Sequence, residues 1–103
     1  MAQHIGCLLE DEFSKLIMSS SINIAGLIKY TQNIDPNKRK FPWMWTIDEY
    51  GNTIFNRLQI PLVSQELLVL REEADNIHKK IIDECIEFLG KASVHEYIKF
   101  IGD

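Results

Sequence analysis

Residues 41–56, FPWMWTIDEYGNTIFN, contain both tryptophans of the chain and carry its clearest local pattern. Residues 43–47 place aromatic and β-branched side chains at every second position, and this period of two is typical of a β-strand. Asp48 favours the first position of a turn, and Gly51 can adopt a positive φ at the next corner. The stretch therefore predicts a β-hairpin with strands at about 43–47 and 53–58.

Closing this hairpin at Gly51 fixes its register, with Trp45 opposite Phe55 and Trp43 opposite Arg57. Both faces of such a hairpin are partly apolar. Two strands alone are only marginally stable in water, so helices must cover one face. The other face then needs further chain, a second copy of the protein or a partner, and the hairpin predicts association.

The segment before the hairpin, residues 5–34, is predicted to be an amphipathic helix. Its apolar residues recur at intervals of three and four. The serines at 19–21 are a weak point, because a serine hydroxyl competes for nearby backbone groups. The segment is therefore either one long helix or two, with Ser21 capping a second helix over residues 22–32. The apolar positions are Ile5, Leu9, Phe13, Leu16, Ile17, Ile24, Leu27 and Ile28.

A second long helix is predicted over residues 65–89. Ser64 is a suitable N-cap, and Gly90 is a natural residue just beyond the last turn. At 1.5 Å per residue this helix is about 37 Å long, so its apolar stripe extends past a small core. It can pack antiparallel on the first segment, on a second copy, or on both.

The C-terminal residues 93–101 begin with Ser93 and Glu96, the spacing of a capping box, which predicts a short helix that docks on the core. The expected fold is therefore α+β and mostly helical. Two long amphipathic helical segments and a short C-terminal helix pack on one β-hairpin, and residues 1–103 form a single domain.

Composition narrows the function classes. The 103 residues are 46% hydrophobic and 25% charged, as in an ordinary globular protein, and the net charge is −4. An acidic balance does not attract nucleic acid or anionic membrane. No apolar run approaches the ~20 residues that span a bilayer. Cys7 and Cys85 are two isolated thiols in a chain that has no signal peptide pattern, which favours the reducing cytoplasm.

Catalytic and metal motifs are weak. Asp75 and His78 lie one helical turn apart, but bundle metal sites use Glu and a second matching helix. His4 and Cys7 stand near the chain terminus. The sequence has neither a G-x-S-x-G nucleophile turn nor a glycine-rich phosphate loop. We therefore expect no enzyme activity, no cofactor and no bound metal.

A short, acidic, aromatic-rich chain without cofactor motifs has the profile of bacterial immunity proteins and small adaptors. It predicts a non-enzymatic intracellular interaction or regulatory protein that acts through a protein–protein surface. Tryptophan, tyrosine and arginine dominate such surfaces. The candidate partner-binding residues are Trp43, Trp45, Tyr50, Phe55 and Arg57, with a protein as partner and a homodimer as a further expectation.

Two other functions compete with this prediction. One is a small-molecule-binding module with an apolar pocket between the hairpin and the helices, beside Trp45. Polar groups such as Asn56, Gln59 or His78 would then converge on the pocket. The other is nucleic-acid binding through the cations Lys38–Lys40. It is the less favoured of the two, because the chain has a net negative charge.

Overall fold

The computed structural model describes residues 4–103, in which four strands and four helices alternate irregularly. Residues 1–3 lie outside the described residues. The expectation that the chain has no signal peptide depends partly on them. The α+β class is confirmed. The elements in chain order are β1 (Ile5–Asp11), β2 (Leu16–Ser19), α1 (Ala25–Ile34), α2 (Pro42–Trp45), β3 (Asn52–Phe55), α3 (Ile60–Glu73), α4 (Asn76–Leu89) and β4 (Glu96–Gly102).

The four strands form one antiparallel sheet with the order β2-β1-β4-β3. The C-terminal strand β4 therefore lies in the interior of the sheet. It pairs with β1 along its whole length, from Ile5 opposite Gly102 to Asp11 opposite Glu96. On its other side it pairs with β3, where Ile98 stands opposite Phe55.

One face of the sheet is the floor of the hydrophobic core. Alternate residues of the strands are buried there, as the period of two in a strand requires. Phe55 and Phe100 meet edge to face on this floor, with their ring centroids 5.9 Å apart. The helices cover it with buried side chains that include Leu27, Ile28, Leu67, Leu70, Ile82, Phe88 and Leu89.

The predicted hairpin is wrong. Residues 42–45 form the one-turn helix α2, and β3 pairs with β4 instead of with residues 43–47. Pro42 suits a first helical turn, because its fixed φ is helical and its missing N–H is not needed there. Trp45 therefore does not oppose Phe55, although the pattern that predicted the second strand did locate β3.

The helix predicted over residues 5–34 is wrong for its first half. Ile5, Cys7 and Leu9 are buried at every second position, and this alternation belongs to strand β1. The turn that follows depends on the Asp11 side chain, whose Oδ1 accepts hydrogen bonds from the backbone N–H groups of Phe13 and Lys15. Only residues 25–34, largely within the second of the two helices considered, form a helix.

The helix predicted over residues 65–89 is two helices of 14 residues each, α3 and α4. Ala74 has an extended ψ of 151°, and Asp75 then caps α4 by accepting a hydrogen bond from the His78 N–H at 2.9 Å. Each helix is about 21 Å long. The two helices pack against each other, so no helix extends far beyond the core.

The predicted C-terminal helix is strand β4. Half of the capping box forms, since Glu96 Oε1 accepts a hydrogen bond from the Ser93 N–H at 2.7 Å. His95, however, has a φ of 66°, and this left-handed residue turns the chain into the sheet. Within residues 4–103, no helix has both the length and the apolar character needed to cross a membrane.

Candidate protein-binding surface

A buried carboxylate, Asp35, organises the loop that follows α1. Its Oδ1 accepts the Arg39 N–H at 3.1 Å, and its Oδ2 accepts the N–H groups of Lys40 at 3.0 Å and Phe41 at 2.8 Å. Burial acts to raise the pKa of Asp35. This effect of burial is outweighed by the N–H donors of Phe41, Arg39 and Lys40 and by the charge of Lys40. The pKa of Asp35 therefore lies below its usual value. Asp35 therefore holds the loop as an ionised anchor.

A second buried carboxylate, Glu66 of α3, holds the next part of the loop. Its Oε2 accepts the Trp43 N–H and its Oε1 the Met44 N–H, both at 2.9 Å. Both N–H groups lie in the first turn of α2, where a backbone N–H has no acceptor within its own helix. Burial raises the pKa of Glu66, although the two hydrogen bonds oppose the shift.

Together the two carboxylates accept every backbone N–H of residues 39–44, because Pro42 has none. This loop has no strand pairing and only one helical turn of its own. Side chains from α3 and from the end of α1 supply the acceptors that its backbone needs. The backbone of residues 39–44, which we call the platform, is therefore held by side-chain acceptors along its whole length.

The platform carries Trp43, Arg39 and Lys40, and Lys38 and Trp45 directly precede and follow it. Trp43 is half-buried with its ring edge to face with Phe55, and the centroids are 6.2 Å apart. The Trp45 Nε1–H donates to the Asp35 carbonyl at 2.7 Å, and the Lys38 ammonium lies 4.9 Å from the centroid of the Trp45 ring. Lys40 pairs with Glu73 of α3 at 3.1 Å.

An open groove of about 480 Å³ runs between this platform and α3. Leu62 and Val69, two turns apart on α3, are 41% and 48% exposed along it. We call it the Trp43 groove. It is lined by Arg39, Lys40, Pro42, Trp43, Leu62, Gln65, Glu66 and Val69.

The structure brings together only part of the predicted partner-binding set. Trp43 lines the groove, and Trp45 directly follows the platform but does not line the groove. Phe55 is 2% exposed, so it supports Trp43 from within the core and offers no surface to a partner. Tyr50 is 62% exposed in the turn before β3, and Arg57 is exposed in the turn before α3; neither lines the groove.

The polar groups predicted to converge on a ligand pocket make local contacts, and Asn56 also lines a separate hollow of about 200 Å³ together with Arg57 and Tyr97. Asn56 Oδ1 accepts the N–H groups of Leu58 and Gln59, and Gln59 Oε1 accepts the Asn56 N–H. His78 bonds to Asp75 and stacks on the Tyr30 ring at 4.3 Å. None of the three residues lines the Trp43 groove.

Sequence reasoning missed the residues that shape this surface. Neither Asp35 nor Glu66 is among the predicted partner-binding residues, although both hold the platform. The signal for Glu66 was its position beside Val63, Leu67 and Leu70, where a charge falls on a buried stripe. A buried charge needs partners, and here they are backbone donors.

Both cysteines lie in the core and do not line the Trp43 groove. Cys7 and Cys85 are free and buried. Burial raises the pKa of the Cys7 thiol to about 12 and that of Cys85 further, so neither is a thiolate at neutral pH. Among residues 4–103, no three metal-ligating side chains come together.

The sheet face turned away from the core carries both apolar and charged side chains. Its central row holds Leu8, Lys99 and Ile54 on three neighbouring strands. The Lys99 ammonium lies 3.7 Å from Glu10, and Ile54 is exposed. Leu8 and Ile54 flank Lys99 in this row, and Asp11, Glu12 and Ser14 line a hollow beside Ile54 and Tyr97.

A scan of protein-family models, a search of curated protein sequences and a search of solved structures each found no match to this chain.

Proposed function

We propose that this chain is a small, non-enzymatic interaction or regulatory protein of the cytoplasm that binds a protein partner at the Trp43 groove. The observation that supports it is the platform of residues 39–44, whose backbone donors are all held by Asp35 and Glu66. Two free, buried thiols agree with a reducing compartment.

Binding a partner costs free energy when loops and side chains must be ordered. A loop that is already fixed avoids much of that cost. The groove beside it combines Trp43, exposed aliphatic residues of α3 and Arg39 at its rim. Tryptophan and arginine carry a large share of binding energy at protein interfaces, and an exposed apolar patch on a small protein often marks such a site.

The competing functions have less support. A small molecule is usually enclosed by a pocket with a few convergent polar groups, whereas the Trp43 groove is open along α3. Nucleic acid would need a basic surface, but Lys38 covers Trp45 and Lys40 pairs with Glu73. A small-molecule-binding module is therefore the second proposal and nucleic-acid binding the third.

A double substitution tests the proposed function. The Leu62→Asp, Val69→Asp variant places two charges on the groove floor and is expected to weaken partner binding by at least about tenfold. Quantitative mass spectrometry of complexes captured from the source organism should show one or more proteins lost with this variant. Leu68→Asp is the control, because Leu68 is also exposed on α3 but does not line the groove.

Urea denaturation should show that the groove variant and the control have similar stability, so that loss of partners is not loss of the fold. If both variants retain the same proteins at the same abundance, the groove is not the binding surface. A groove that instead binds only small metabolites, detected by mass spectrometry of the purified chain, would favour the second proposal.

We also propose that a homodimer forms through the outer face of the sheet. Because Lys99 and Glu10 lie side by side at its centre, a two-fold axis there would place each cation near the partner's anion. Light scattering after size exclusion should show a dimer at tens of micromolar, and Ile54→Arg should be monomeric. A wild-type monomer at every concentration up to the solubility limit would contradict it.

A further inference from the structure

We draw no further inference here: the strongest candidate, the exposed apolar edge strand β2 with the hollow of about 330 Å³ between its end and α4, carries nothing, because the described part of the chain does not show what covers it.

Discussion

Replacing Phe100 with alanine is expected to lower the free energy of unfolding by about 3–5 kcal/mol. The side chain is fully buried on β4, an interior strand of the sheet, and it packs edge to face against Phe55. Truncation leaves a cavity at the point where the sheet meets the helices, and close-packed surroundings relax only partly into it. Urea denaturation followed by far-ultraviolet circular dichroism measures the loss.

Phe13→Ala is the control, because Phe13 is 82% exposed in the turn between β1 and β2 and should change stability by less than about 0.5 kcal/mol. If Phe100→Ala does not fold, Phe100→Leu keeps most of the volume and should lose about 1–2 kcal/mol. Equal effects at positions 13 and 100 would contradict the placement of β4 in the interior of the sheet.

Replacing Glu66 with alanine is expected to cost about 2–4 kcal/mol at pH 7, because it leaves the N–H groups of Trp43 and Met44 without their acceptors. The effect should be local as well as global. The only two tryptophans of the chain, Trp43 and Trp45, lie on this loop. Their fluorescence should shift towards that of water-exposed indole under conditions in which the far-ultraviolet spectrum still reports a folded sheet.

Glu72→Ala is the control for Glu66→Ala, since Glu72 is an exposed acid on the same helix. It should leave both the fluorescence and the midpoint of unfolding nearly unchanged. A Glu66→Ala variant with wild-type stability and fluorescence would mean that the platform does not depend on this carboxylate. That result would remove the observation on which the proposed function rests.

The pH dependence of Glu66 has a definite sign. Its pKa is raised in the folded protein, so the folded state binds the proton more readily than the unfolded state does. The stability that this proton contributes is fully present below the ordinary pKa near 4.5, and it is lost as the pH rises through the raised value. The stability of wild type relative to the non-titrating Glu66→Gln variant should therefore fall over that interval.

Local patterns alone determined several features of this protein. The mixture of helical and strand periodicities predicted the α+β class, because period is a property of neighbouring residues. Gly90 was expected to end a helix, and α4 ends at Leu89. Residues 53–55 were expected to be extended, and β3 contains them. Each of these features depends on residues within a few positions of one another.

Other features had local signals that were outweighed by the patterns around them. The alternation of Ile5, Cys7 and Leu9 belongs to a strand, but the wider apolar spacing favoured a helix. Asp75 was recognised only as one member of a weak metal pair, although an aspartate after Ala74 can begin a new helix. Short elements are the ones most easily hidden inside a longer apparent period.

Only the tertiary structure decided where the C-terminal residues and residues 39–44 would go. Residues 97–101 are apolar enough for either a helix or a strand, and pairing with β1 and β3 on both sides selects the strand. The backbone donors of residues 39–44 are satisfied by Asp35 and by Glu66, which lies more than twenty residues away from the loop in sequence. Sequence patterning specifies which side chains prefer burial, whereas hydrogen-bond partners at such distances are specified only when the chain is folded.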